Sequence, residues 1–191
     1  MHQIEPYYNW KLLYDSSNDP YSPFFEKEYS EFEFTDSIYD HYIHPQWDNM
    51  GSSTLFIKII YANYEDGFAV IELIGEWNDL LYNDIMTLKR EIVEQMIKHG
   101  IHKFILIGEN VLNFHSSDDC YYEEWSEEIA DSDGWIALLN FRDYVLDDMA
   151  KANIDSYIVL GGKLNELSWR TMNPEQLYEL VESQVMRRLQ A

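Results

Sequence analysis

Several residues that could do acid–base or ligand chemistry follow a strand-like apolar run that begins at Lys103. They lie between this run and the next predicted helix, and comprise Glu109, His115, Ser116, Ser117, Asp118 and Asp119. Ligands of parallel α/β sheets sit beyond the carboxyl ends of the strands, so this stretch is where we expect function. Together with Glu76, which ends an earlier strand, these side chains could bind a divalent cation or form an acid–base pair.

The same residues also have an explanation without chemistry. Polar side chains end many strands, and acidic ones are favoured near the positive end of the helix that follows. None of the spacings is specific in the way that His-Glu-x-x-His is. We therefore favour this second interpretation and expect neither a metal nor a cofactor.

Other reactive residue types give weaker signals. Cys120 lies among acidic residues, whose field should raise the pKa of its thiol and suppress the nucleophilic thiolate. His41 and His44 are three apart but lack a third zinc ligand, so we interpret them as packing or surface residues. Gly161-Gly162 lacks the pattern of a phosphate-binding loop, which leaves nucleotide binding unsupported.

The charge of the chain excludes some partners. Thirteen basic and 35 acidic side chains leave a formal charge of −22, which repels phosphate backbones and anionic lipids. We expect no nucleic acid and no membrane partner, and a basic protein surface would fit better. No run of about 18 apolar residues occurs, and the start of the chain lacks a signal-peptide pattern. These features predict a cytoplasmic protein.

From residue 54 onward the pattern of apolar residues predicts an α/β fold. Two apolar runs flanking Asp66-Gly67 predict a β-hairpin. Residues 79–99 predict one helix, whose apolar positions should face the sheet: Leu81, Ile85, Leu88, Ile92 and Met96. Three further buried strands, two intervening helices and a C-terminal helix that opens at Asn173 complete the order ββαβαβαβα. This order predicts a mixed sheet of about five strands with helices packed on it.

Residues 1–53 differ in composition from the rest, and we treat them as an N-terminal arm. The first 50 residues hold 13 of the 30 aromatic residues, without sustained periodicity except around residues 32–43, where we predict one short helix. Aromatic side chains at this density need burial. We predict that the arm packs on the domain formed by residues 54–191; alternatively, it is a docking surface for a partner or a second copy.

The order of elements and three segments resemble the STAS domain of sulfate transporters and anti-sigma-factor antagonists. Gly75-Glu76-Trp77-Asn78 resembles the Gly-Glu-Leu-Asp that ends the second strand of the family, and Lys103 to Ser117 resembles its strand and following serine pair. The stretch from Phe141 to Ile158 resembles the family's helix leading into its last strand. The resemblance covers roughly residues 55–188. The whole chain also resembles an uncharacterised bacterial family, which implies no activity.

The resemblance implies that Ser116 would be a phosphoacceptor, since the first serine of the pair has that role in STAS phosphorylation switches. His115 and Asp118-Asp119-Cys120 depart from the family pattern. Residues 109–133 contain nine acidic residues and no Lys or Arg, so a phosphate would meet repulsion among its neighbours in sequence. The alternative is that Ser116 or Ser117 is an ordinary helix N-cap.

We therefore predict a non-enzymatic regulatory or protein-interaction module of STAS-like type, whose contact surface is the loop and helix from Glu109 to Glu128. Its partner would be a protein, for which a basic surface is the best match, or a second copy in a homodimer. The alternative is a small metal-dependent or acid–base hydrolase that uses Glu76, Glu109, His115 and Asp118. A purely structural oligomer is a third interpretation.

Overall fold

A mixed five-stranded sheet forms the centre of the computed structural model, which describes residues 3–189. The strand order is β3-β4-β5-β6-β7, with β3 (Asp48–Asn49), β4 (Leu55–Asn63), β5 (Phe68–Asn78), β6 (Lys103–His115) and β7 (Trp135–Leu139). β3, β4 and β5 pair antiparallel, and β5, β6 and β7 pair parallel. The predicted α/β class and mixed sheet are confirmed. The last predicted strand, residues 157–160, is reduced to one parallel bridge between Val159 and Ala137.

One face of the sheet, here called the helix face, is covered by helices. They are α1 (Asp79–Tyr82), α2 (Asp84–Thr87), π-helical turns (Leu88–Val93), α3 (Glu94–Lys98), α4 (Cys120–Ala130) and α5 (Asp143–Lys151). Ile85, Leu88, Ile92 and Met96 are buried against the sheet, as their spacing predicted.

The prediction of one continuous helix over residues 79–99 is wrong at its start. Asn83 adopts a left-handed conformation, with φ of 51°, which ends α1 after one turn and redirects the chain before α2. Leu81 therefore does not face the sheet, and it is 71% exposed. Asn tolerates this conformation better than most residues, so it is a suitable residue for the break.

The opposite face, here called the arm face, is covered by the C-terminal helix and by residues of the first 50. α6 (Pro174–Leu189) begins with the predicted capping box, in which the Gln176 amide N–H donates to Asn173 Oδ1 at 2.8 Å. Trp10 packs with Trp169 and with α6 residues over the same apolar cluster. Its indole N–H donates to the Met172 carbonyl at 3.2 Å.

The short helix predicted around residues 32–43 is wrong, because this segment forms a two-stranded antiparallel hairpin. Its strands are β1 (Ser37–Ile38) and β2 (His41–Tyr42). Ile38 and Ile43 are buried with Trp47 against Phe56 and Ile74 of the sheet. The hairpin therefore closes the arm face at the end opposite to Trp10's cluster, and β3 adds an edge strand from the same part of the chain.

Candidate functional site

The predicted site residues from His115 to Asp119 lie at one end of the sheet. His115 is the last residue of β6 and lies opposite Asn78, the last residue of β5. Ser116, Ser117 and Asp118 are exposed, and we call Ser116–Asp119 the β6–α4 loop. The suggestion that a serine caps the next helix is wrong, because the N-cap of α4 is Asp119. The Asp119 carboxylate instead accepts a hydrogen bond from the Tyr157 hydroxyl at 3.1 Å.

A shallow cleft of about 330 Å³ opens beside this loop. It is lined by Leu80, Phe114, His115, Ser116, Asp148, Lys151 and Ala152. Lys151 Nζ lies 2.8 Å from Asp148 Oδ1, and this hydrogen bond raises the pKa of the lysine. The repulsion predicted for a phosphate on Ser116 came from acidic residues close to it in the sequence. The fold also brings a cation, the ammonium group of Lys151, to the same cleft.

The chain from Asn78 to Asp84, here called the α1 corner, is held by buried polar side chains. Asn78 Oδ1 caps α1 by accepting from the Leu81 amide at 3.0 Å. The Asp79 carboxylate accepts from Trp77 Nε1 at 3.0 Å, from the Ile85 amide at 2.8 Å and from the Tyr122 hydroxyl at 2.6 Å. These hydrogen bonds join β5, α1, α2 and α4, so the corner has one well-defined position.

Asp84 anchors the other end of the corner. Its carboxylate accepts from the Ser52 hydroxyl at 2.6 Å and from the Asn78 amide at 2.7 Å. Burial raises the pKa of Asp84, and it raises the pKa of Asp79 to about 6 despite the three donors that lower it. Both carboxylates are fully engaged within the protein, so they support the corner and do not face a ligand.

Three consecutive apolar side chains on the α1 corner point away from the core. Leu80 is 65% exposed, Leu81 71% and Tyr82 43%. Exposing large apolar side chains next to one another is unfavourable unless another molecule covers them. Sequence reasoning missed this feature because Leu81 fits the spacing of the helix that follows, and Asn83 was the local signal of a break.

The fold does not bring Glu76 and Glu109 to the β6–α4 loop. Glu76 accepts hydrogen bonds from the Tyr39 hydroxyl at 2.8 Å and from Asn113 Nδ2 at 2.9 Å. Glu109 lies on the arm face, where it pairs with Arg170 and accepts from Asn140 and Trp169. Burial alone would raise the pKa of Glu109, but these donors outweigh it and hold the pKa below its usual value.

The members of the proposed acid–base or metal site are therefore separated. Within residues 3–189 no group of three or more His, Cys, Asp and Glu side chains could hold a metal ion. Cys120 is exposed, and its hydrogen bond with Asp118 raises the pKa of its thiol, in the predicted direction. What remains together at this end of the sheet is an apolar corner, a serine loop and a small cleft.

Comparison with known proteins places two solved structures beside this chain. The first, described as an anti-sigma factor antagonist from Thermotoga maritima, has 17% identity and a TM-score of 0.41, and the match covers 58% of this chain and 87% of the other. The second, the phosphorylated form of the Bacillus cell fate determinant SpoIIAA, has 13% identity and a TM-score of 0.41, with 65% and 98% covered.

No protein-family model matches the chain, and no curated protein matches it significantly. In the part of the chain that the structure describes, none of the helices is long and apolar enough to cross a bilayer. The description of the first of these structures names the anti-sigma factor antagonists, which are also among the proteins that the sequence resemblance names.

Proposed function

We propose that this protein is a non-enzymatic interaction module, and that it binds a basic protein partner through the α1 corner and the adjacent β6–α4 loop. The observation that carries this proposal is the exposure of Leu80, Leu81 and Tyr82 on a corner fixed by buried hydrogen bonds. A rigid apolar surface loses little conformational entropy when a partner covers it, which favours binding.

The chemistry of this end of the sheet supports docking over catalysis. The cleft beside Ser116 is shallow, and the carboxylates that a hydrolase would need are engaged elsewhere. General acid–base catalysis needs the reacting groups within hydrogen-bond reach of one substrate atom. Glu76, held by Tyr39, and Glu109, on the arm face, do not meet this condition.

Charge selects the kind of partner. Acidic side chains are frequent on the elements that adjoin the apolar corner, among them Asp118 of the β6–α4 loop, Glu123 of α4, and Asp148 of α5, which lines the cleft with Leu80. With a net charge of −22, a second copy would bring like charges together, whereas a basic surface would be attracted. The partner is therefore a basic protein, and self-association is the competing outcome of the test.

Ser116 is the residue through which the contact could be regulated. It is exposed, it lines the cleft with Leu80, and it would be reached by a kinase without unfolding. A phosphate there would add about two negative charges beside the apolar corner. Lys151, already paired with Asp148, would be the nearest cation that lines the cleft.

Site-specific photo-crosslinking tests the proposal. A photoreactive residue at position 81 should crosslink a basic protein in the source cell, and the yield should fall as ionic strength rises. The variant Leu80→Ser/Tyr82→Ser should abolish the crosslink, and Ser116→Asp should change its yield. The matched control is Leu12→Ser, since Leu12 is a fully exposed leucine of the arm.

Two results would count against the proposal. Crosslinks that join only copies of this chain would replace it with a homodimer. An equal crosslinking yield from the wild type and the Leu80→Ser/Tyr82→Ser variant would show that the apolar corner does not form the contact.

A further inference from the structure

A second cavity lies on the arm face, away from the α1 corner. It has a volume of about 620 Å³ and is half open, between β4 and the first 50 residues. Its lining includes the cationic side chains Lys11, Lys27 and Lys58, the hydroxyl-bearing Ser16 and Tyr29, and Phe32. Cavities of this size hold small-molecule ligands in many proteins.

A buried carboxylate organises the cationic side of the cavity. Asp48 is fully buried, with Lys27 Nζ at 2.8 Å from Oδ1 and Lys58 Nζ at 3.2 Å from Oδ2. The Tyr29 hydroxyl also donates to Oδ1 at 2.6 Å, and Lys58 Nζ lies 3.6 Å from the centre of the Tyr29 ring. Two ammonium groups share one carboxylate, so this group carries a charge of 2 − 1 = +1.

The remaining charged side chains of the lining sum to −2, so the lining and Asp48 together carry 1 − 2 = −1, but both unbalanced carboxylates, Glu5 and Glu31, are exposed and screened by water. Asp15 lies 3.9 Å from Lys11 Nζ and also attracts Lys58, and Glu5 lies 3.5 Å from His44 Nε2. Glu31, the other carboxylate of the lining, is exposed. Positive charge is therefore in excess only on the inner side of the cavity, where Lys27 and Lys58 share the buried Asp48.

Ser16 provides an independent observation. The side chain is completely buried and lines the cavity, and its hydroxyl makes no hydrogen bond of normal geometry within residues 3–189, although the Tyr29 hydroxyl lies near it. Leaving a buried hydroxyl unpaired costs about 1–3 kcal/mol, and native proteins rarely retain such groups without a reason. A ligand that accepts or donates a hydrogen bond at Ser16 would supply the reason.

We propose that this cavity binds a small organic anion, whose carboxylate or phosphate group pairs with Lys27 and Lys58 and hydrogen-bonds to Ser16, while its apolar body lies against Tyr8 and Phe32. Both aromatic side chains line the cavity and are strongly exposed. Burial lowers the pKa of Lys58, although Asp48 opposes this effect. An anion beside Lys58 would offset that cost of burial.

Calorimetric titration of the full chain tests this assignment, with phenyl phosphate as the probe and phenethylamine as a cationic molecule of similar size. Phenyl phosphate should bind saturably and phenethylamine should not. Inorganic phosphate should bind more weakly than phenyl phosphate, because it lacks the body that would contact Tyr8 and Phe32. A titration with benzoate distinguishes a carboxylate from a phosphate ligand.

Two variants and a control locate the site. Lys27→Met should weaken binding of phenyl phosphate about tenfold or more, because an ion-paired hydrogen bond is lost while Lys58 still neutralises Asp48. Ser16→Ala should weaken binding several-fold yet leave the melting temperature of the free protein unchanged or raised, since its hydroxyl makes no hydrogen bond of normal geometry. Lys98→Met, at an exposed lysine on α3, should have no effect.

Three results would overturn the proposal: no saturable binding of phenyl phosphate or benzoate at millimolar concentration, tighter binding of phenethylamine, or equal affinities in Lys27→Met and Lys98→Met. None of these depends on the partner proposed for the α1 corner.

Discussion

The two faces of the sheet differ in how they are closed. On the helix face the strands present apolar side chains throughout, as with Leu55, Ile57 and Ile59 of β4, and helices with apolar stripes cover them. On the arm face Lys58 of β4 lies opposite Glu72 of β5, and Glu109 of β6 projects to the same side. These charged residues divide the apolar surface into two clusters.

The division explains why the arm face needs an irregular cover. Each buried charge must find a specific partner, because an unpaired charge in a core is costly. Asp48 of the arm supplies one for Lys58, and Arg170 bridges Glu72 and Glu109. The Tyr7 amide adds a hydrogen bond to Glu72 at 2.8 Å. A regular amphipathic helix would supply apolar contacts but not these individual partners.

The largest expected effect is a loss of stability caused by a substitution on the helix face. Ile85→Asp should lower the free energy of unfolding by more than about 4 kcal/mol, since it places an unpaired charge in the core close to the buried carboxylates of Asp79 and Asp84. Denaturant unfolding measures the change. Leu81→Asp, four residues earlier on α1, is the matched control and should change stability by less than about 0.5 kcal/mol because its side chain is exposed. Equal losses in both variants would contradict the break at Asn83.

The corresponding change on the arm face is Trp10→Ala. Trp10 is buried among Trp169 and Phe68, and its removal should cost about 3–5 kcal/mol. Proteolysis should then cleave the first 50 residues faster, as expected if Trp10 attaches this segment to the sheet. Tyr8→Ala, at a strongly exposed neighbour, is the control. A Trp10→Ala variant with wild-type stability would show that this segment docks independently of the domain.

The pH dependence of stability also distinguishes the two faces, because Glu72, whose pKa is shifted, lies on the arm face. Burial raises the pKa of Glu72 from 4.5 to about 7, against the Tyr7 amide and Arg170, which lower it. The folded protein therefore holds a proton that the unfolded chain releases above about pH 4.5, and stability falls as the pH rises towards 7. This loss amounts to about 3 kcal/mol.

Glu72→Gln removes this titration. The stability of the variant relative to wild type should rise by up to about 3 kcal/mol between about pH 4.5 and about pH 8. Denaturant unfolding at a series of pH values measures the difference. A difference that stays constant with pH would mean that Glu72 is ionised as readily in the folded protein as in the unfolded chain.

Local sequence patterns predicted most of the helices on both faces, but not the charge pairs that close the arm face. Ile85, Leu88, Ile92 and Met96 repeat with helical spacing, and the capping box at Asn173 is contained within four residues. The pairing of Glu109 with Arg170, and of Lys58 with Asp48, joins residues that no periodicity relates. Glu109 was for this reason assigned to a loop although it belongs to a strand.

The candidate site was predicted only in part, because some of its features depend on contacts between residues that are distant in the sequence. The position of His115 and the serines at the end of a strand follows from an apolar run, which is a local signal. The exposed leucines of the α1 corner depend on the left-handed Asn83, and the approach of Lys151 depends on the packing of α5. Neither could be read from the residues around Ser116.

The smallest expected effect concerns a buried polar cluster of the helix face. Tyr122 is completely buried, and its hydroxyl donates to the Asp79 carboxylate at 2.6 Å. Burial raises the pKa of Asp79 to about 6, and the hydrogen bond from Tyr122 opposes this rise. Tyr122→Phe keeps the ring and removes the donor. At about pH 8 Asp79 is ionised, and losing a hydrogen bond to a charged group should lower the free energy of unfolding by about 2 kcal/mol. Near about pH 4.5 Asp79 is protonated, and the loss should be closer to about 1 kcal/mol. Denaturant unfolding at both pH values checks the direction, and a larger loss in acid would show that Tyr122 is bonded chiefly to the neutral form of Asp79.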